Sequence, residues 1–262
     1  MLFGLISTAH AAEDAISIKL APYVLGEVAG VPITPTMLTV WLSMLLITVV
    51  AVLVGRKTRL SPSGTQNVFE MIIGGAYDYV ESTLESKQLA QKYFPILMTM
   101  FLFLLVMNWV GLLPGVTSIG FWEGHGSEEH LVPLLYPPAT DLNIAIGFAF
   151  VAMIVIEFAG IAALGFFHYG SKFINFSSPM NFLVGILELI SELGRLVSFS
   201  FRLFGNIFAG KTLLVVGMFF VPYLLPVPIL AYEVFVGFIQ AGVFAFLTLI
   251  FIKLAVAEPH PH

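Results

Sequence analysis

The sequence contains no cysteine. That excludes a disulfide framework, thiol catalysis and a thiolate metal site. Charge is also scarce: Asp, Glu, Lys and Arg make up 10% of the 262 residues, against roughly 25% in an ordinary soluble domain. Lys and Arg number 11 and Asp and Glu 16, for a net charge of -5. The basic residues form no tract, which excludes a nucleic-acid binder. No repeat or low-complexity segment is visible. What is abundant is apolar surface. Hydrophobic residues make up 58%, Phe occurs 25 times, and mean hydropathy is +0.97. A water-soluble fold cannot hide that much apolar surface. The chain therefore reads as an all-α membrane protein in a single bundle.

A transmembrane helix needs roughly 20 mainly apolar residues. The sequence offers five such spans. The first is Thr36–Val54, the second about Tyr93–Leu113 with Asn108 inside it, and the third about Leu142–Phe167 with Glu157. The fourth follows Pro179 and runs to Phe220. The last follows the cluster Pro222, Pro226 and Pro228 and ends near Val256. Between the first two lies Asn67–Glu85, which mixes Phe69, Met71, Ile72, Ile73 and Tyr77 with Glu70, Asp78, Glu81 and Glu85. It reads as an amphipathic interfacial helix, with a short soluble helical loop as the alternative.

Basic residues set orientation. Arg56, Lys57, Arg59, Lys87 and Lys92 follow the first span, Lys172 follows the third, and Lys253 closes the last. The loop Pro114–Thr140 has no Lys or Arg but holds Glu123, Glu128 and Glu129. The expected topology is N-terminus outside (periplasmic) and C-terminus in the cytoplasm, across a bacterial inner membrane. Two regions are expected: an extracytoplasmic segment, 1–34, and one membrane domain, 35–262. Ala9-His10-Ala11, after the apolar run Leu2–Ala9, resembles a signal-peptidase site, but no basic residue precedes that run. Removal of residues 1–11 stays open.

The fourth span is the informative one. From Asn181 to Phe220 the pattern is helical for 40 residues, about 60 Å at the α-helical rise and twice the hydrocarbon thickness. The helix must tilt strongly or bend. The last span is long too, and two long tilted helices suggest a surface shaped to follow something large inside the membrane. Glu188, Glu192, Arg195, Arg202 and Asn206 are spaced by four, three, seven and four residues, so they share one face. Arg stays charged inside a membrane, because its pKa exceeds about 12. Such a charge is costly unless it meets water or a partner. Arg195 has Glu192 and Glu188 on its own helix, so a structural ion pair fits it, with a functional role also open. No acid lies within a turn of Arg202, so that cation is expected to act on something outside its own helix.

Glu233 and Gln240 share a face of the last helix, beside the small residues Gly237, Ala241 and Gly242 that allow close helix approach. Gln240 also fits simple interhelical bonding. Lys211 lies about 180° around its helix from Arg202. It is expected to pair with Glu233 near an aqueous inlet. Glu157, an isolated intramembrane acid, is expected to be protonated or paired; facing an aqueous pocket near Glu188 and bonding structurally both stay open. His125 and His130 with the three loop glutamates favour a solvated acidic loop over a metal site.

The string Ser200-Phe201-Arg202-Leu203-Phe204-Gly205-Asn206-Ile207-Phe208-Ala209-Gly210 resembles the signature of the subunit a family of F-type ATP synthases, in its bacterial form. Supporting matches are Asn108 with Leu112-Leu113-Pro114, Asp141 with Asn143 at the start of the third span, and Gln240. The resemblance runs from the first span to Lys253. It implies a stator, held with peripheral-stalk b subunits, beside a rotating ring of c subunits. It implies no cofactor and no bond chemistry in this chain. Arg202 would face the ring's membrane carboxylate, with Asn206 and Gln240 lining the path. Glu188 would lie in the cytoplasmic half-channel, joined by Glu192. Lys211 and Glu233 match a polar pair in the periplasmic half-channel. Many bacterial members carry Glu and then His at these two positions, so Lys211 departs from the pattern.

The electrostatics agree with that reading. A rotor carboxylate in lipid must be neutral. Beside Arg202 it is stabilised as the anion and releases its proton. A secondary transporter would call for internal repeats or paired broken helices, and neither is visible. A purely structural membrane subunit would have Arg202 neutralised within the chain.

Overall fold

The computed structural model describes residues 23–28, 30–56, 64–113, 115–123, 130–173, 178–222 and 224–257. The N-terminal cleavage motif, His125 and the loop acids Glu128 and Glu129 lie outside them. Two short hairpins occupy connections that the sequence reading left irregular. One pairs β1 (Gly26–Val28) with β2 (Val31–Ile33), and the other β3 (Gly120–Glu123) with β4 (His130–Pro133). The helices are α1 (Pro35–Gly55), α2 (Thr65–Leu84), α3 (Lys87–Val110), α4 (Leu142–Leu164), α5 (Phe166–Gly170), α6 (Pro179–Phe220) and α7 (Pro226–Val256). Five of them, α1, α3, α4, α6 and α7, are long and apolar enough to cross a membrane. The fold is an all-α membrane protein with two long C-terminal helices.

Local chemistry places the helix starts. Thr34 caps α1, its hydroxyl accepting from the Met37 amide, with Pro35 just inside the helix. There the missing N–H costs nothing, because the first amides of a helix have no internal partner. Ser86 caps α3 by accepting from Leu89, and Asp141 caps α4 by accepting from Asn143. Pro179 and Pro226 open α6 and α7 in the same way as Pro35. The third span stops at Leu164, short of the expected Phe167, because Gly165 takes a positive φ of 83° that favours glycine. Helix α5 then folds back, and the Tyr169 ring lies on Gly160, where a Cβ would collide with it.

Small residues bring the helices close. Ala145, Ala149, Ala152, Ile156 and Ala159 are buried at alternating steps of four and three along α4. That spacing makes a smooth face for α6 and α7. Leu203 and Phe199 of α6 meet Phe244 and Ala241 of α7 in the same core, with the Phe199 and Phe244 rings edge-on at 4.8 Å. Helix α3 completes this layer through Met100, Leu104 and Met107. Asn108 clasps α3 to α7 by donating to the Gly237 carbonyl at 3.2 Å.

Helix α2 matches the expected amphipathic segment. Val80 and Leu84 are buried against the bundle, while Phe69, Met71 and Ile72 are exposed. It ends where Glu85 turns left-handed, with φ of 53°. The Glu85 carboxylate accepts from Lys253 Nζ at 2.7 Å, joining the end of α2 to the end of α7. At 42 residues, α6 is about 63 Å long by helical rise.

Candidate functional site

The polar residues of α6 separate into two groups with Arg202 between them. Glu188, Glu192 and Arg195 form the first, at the α5 end of the bundle. Arg195 pairs with Glu192 at 2.7 Å and with Glu188 at 3.4 Å. Lys172, from the turn after α5, pairs with Glu188 at 2.5 Å and reaches Glu192 at 3.8 Å. The expected neutralisation of Arg195 is therefore present. Lys172 is a member that sequence spacing did not supply, because it comes from a neighbouring turn rather than from the helix face. The Arg195 guanidinium also lies 4.8 Å from the centre of the Phe251 ring.

Glu157 of α4 and Glu192 line one apolar cavity of about 390 Å³. The Oε1 of Glu157 and the hydroxyl of Tyr169 are buried without a hydrogen-bond partner among the described residues. Burial, reinforced by the nearby Glu157 carboxylate, pushes the Tyr169 hydroxyl above its ordinary value, so it stays protonated. Glu157 thus faces an apolar cavity beside Glu192, with the Tyr169 hydroxyl close by; Glu188 does not line that cavity.

The second group lies at the hairpin end. Lys211, Glu233 and Asn108 line a cavity of about 290 Å³ between α3, α6 and α7. Lys211 Nζ and Glu233 Oε1 are both buried there with no hydrogen-bond partner among the described residues. The two act on each other through charge across this cavity, with no salt bridge between them among the described residues. Lys211 Nζ instead sits 3.2 Å from the centre of the Tyr136 ring. Glu233 also borders a second cavity of about 180 Å³, lined by Asn206, Gly210 and Tyr232. Gly210 leaves room for that arrangement, since a Cβ there would require the end of the Glu233 side chain to shift.

Arg202 lies about 15 Å along the axis from Glu192 and about 14 Å from Lys211 by helical rise. It is exposed. Its only polar contact among the described residues is a 3.4 Å hydrogen bond donated from Nη2 to Ser198 Oγ. Gln240 is buried on α7 with its Nε2 unpartnered, and Asn108 Oδ1 is likewise unpartnered. Asp141 and Asn143 are not brought into either cavity. Asp141 caps α4, receives both the backbone and side-chain amides of Asn143, and accepts from Thr36 Oγ1 at 3.3 Å. Their geometry is that of a tether between α1 and α4.

Fold and site together define a polytopic helical membrane protein with Glu157 and Glu192 lining one cavity, Lys211 and Glu233 lining another, and an exposed arginine between them along α6. Comparison with known proteins makes this specific. The family model described as ATP synthase A chain matches residues 37–253. ATP synthase subunit a of Geobacter sulfurreducens is 32% identical over 223 residues, covering 84% of this chain and 86% of that protein. The subunit a of Campylobacter concisus is 33% identical over 222 residues, covering 83% and 88%. The chain belongs to the ATP synthase subunit a family.

Proposed function

We propose that this chain is the proton-conducting stator subunit of an F-type ATP synthase. One observation carries the reading. Arg202 stands exposed on an apolar helix, with only a serine hydroxyl to meet it among the described residues. A cation so placed is costly in a membrane unless an anion arrives from outside the chain. The membrane carboxylates of a c-subunit ring are that anion. A carboxylate facing lipid is held neutral, and one facing Arg202 ionises and gives up its proton. Each proton moved down 100 mV supplies about 2.3 kcal/mol. That energy drives rotation only if the two half-channels do not connect directly, and Arg202 separates them.

The cavity of Lys211 and Glu233 serves as the periplasmic half-channel, continued past Asn206 and Gln240 towards Arg202. Glu188 and Glu192, with Glu157 beside them, serve the cytoplasmic half-channel. The chain lies in the bacterial inner membrane, with its N-terminus periplasmic and its C-terminus cytoplasmic. Tilted α6 and α7 follow the curved face of the ring, and peripheral-stalk b subunits hold the chain still. The chain makes and breaks no covalent bonds of its own; ATP is formed on partner subunits.

The test is ATP-driven proton pumping by inverted membrane vesicles carrying the whole complex, with wild type and Arg202→Ala compared at equal assembly. The expected result is loss of pumping with passive proton leak retained or raised. Normal pumping by the variant would overturn the reading.

A further inference from the structure

Lys211 and Glu233 line one cavity, and no salt bridge joins them among the described residues. The reason lies on a third element. Tyr136 belongs to the extended segment between β4 and the 3-10 turn Pro138–Thr140. Its backbone amide donates to Thr39 Oγ1 at 3.1 Å, and Thr39 in turn donates to the Pro35 carbonyl. Helix α1 therefore fixes the tyrosine, and its ring faces Lys211 Nζ centrally at 3.2 Å. An ammonium over an aromatic face is attracted by the ring quadrupole, most strongly where water is excluded. This ammonium is buried and has no hydrogen-bond acceptor among the described residues. Burial raises the Tyr136 hydroxyl above its ordinary value, so the ring meets the cation as a neutral phenol.

We propose that Tyr136 is a positioning residue of the inlet. Its ring holds the Lys211 ammonium off Glu233, so that the carboxylate stays available for proton exchange instead of being locked in an ion pair. The proposal rests on the reading of this cavity as the proton inlet. A buried ammonium released from the ring has one nearby anion to approach, because Glu233 lines the same space. A carboxylate locked to that cation would resist protonation. Asn108 and Thr117 also line the wall; Asn108 donates through Nδ2 to Gly237 and keeps an unpartnered Oδ1, a neutral acceptor that leaves Glu233 as the anion of this lining.

The test keeps the ring's shape and changes its charge distribution. Phenylalanine carrying zero, one, two or three fluorines is placed at position 136 in the assembled complex, and ATP-driven proton pumping is read in vesicles. Tyr136→Phe should pump within about twofold of wild type, and pumping should fall stepwise with each fluorine to about a tenfold loss, as the ring face loses its negative potential. Tyr136→Leu, checked for assembly, should match the most fluorinated ring. A merely structural ring would not respond to fluorination, so a flat series overturns the proposal. Arg202→Ala measured in the same vesicles separates the two ideas. If it abolishes pumping while the fluorine series is flat, the stator reading stands and the role of Tyr136 falls.

Discussion

Gly210 of α6 and Glu233 of α7 occupy the same point of the helix interface: a Cβ on the glycine would lie inside the carboxylate. The carboxylate borders both adjoining cavities in the space that the missing side chain leaves. In Gly210→Ala the far end of the glutamate has to move aside. Alanine favours helix by about 1 kcal/mol over glycine, so assembly of the complex is expected to be unharmed. Proton pumping is expected to fall about tenfold or more, because small displacements of a reacting group are costly. Equal pumping at equal assembly would show that the position of this carboxylate is unimportant.

Much of this arrangement can be read from sequence, and the division has a physical cause. Helix starts follow from local chemistry: Thr34-Pro35, Ser178-Pro179 and the proline cluster ending at Pro228 each bracket a span on their own. The α6 stripe follows from the period of one helix, which is why Arg195 could be paired with Glu188 and Glu192 in advance. Lys172 and Tyr136 could not be found in that way. Each reaches its partner from a different element, and nothing in the local spacing records the approach. Phe166 and Phe167 continue the apolar run past the end of α4, while the break is set by the backbone of Gly165. Lys211 and Glu233 line one cavity, as helix spacing suggests, while the Tyr136 ring beside the cation comes from a loop that no helix period records.

Gly185 is a different kind of close approach. A Cβ there would collide with the backbone carbonyl of Phe173, which has no flexible end to swing away. Gly185→Ala is therefore expected to force the turn after α5 off the start of α6. Overpacking of this sort costs about 1–3 kcal/mol. A lower thermal transition of the purified complex, or less subunit assembled in membranes, is the expected readout. An unchanged transition would mean that the turn yields freely.

The Glu85–Lys253 contact predicts a pH response at the C-terminal end of α7. The hydrogen bond from Lys253, aided by its charge, lowers the Glu85 carboxyl below its ordinary 4.5. A group whose value is lowered on folding stabilises the fold above its unfolded value, and that contribution disappears as pH falls through the lowered one. Amide hydrogen exchange in the last turns of α7, corrected for its intrinsic pH dependence, should therefore lose protection as pH is taken from about 6 to about 3. Glu85→Gln should remove the change. The groups are exposed, so high salt should weaken the effect as well. Protection that stays constant with pH in wild type would show the contact to be inconsequential.

Arg195 and Arg202 lie on one helix, seven residues apart, and are predicted to fail in opposite ways. Arg195 is enclosed by Glu188, Glu192 and the Phe251 ring. Removing it leaves Glu192, only 6% exposed, with Lys172 at 3.8 Å as its remaining cation. Breaking a buried pair from one side costs about 3–5 kcal/mol. Arg195→Ala is expected to reduce assembly and thermal stability, with pumping lost in proportion to the missing complex. Arg202 has no anion within the described chain, so Arg202→Ala removes an unpaired charge and should leave assembly intact while pumping stops. Measuring pumping per assembled complex separates the two. A normal rate per complex for the first variant and none for the second is the expected pattern, and the reverse would place the coupling charge at Arg195.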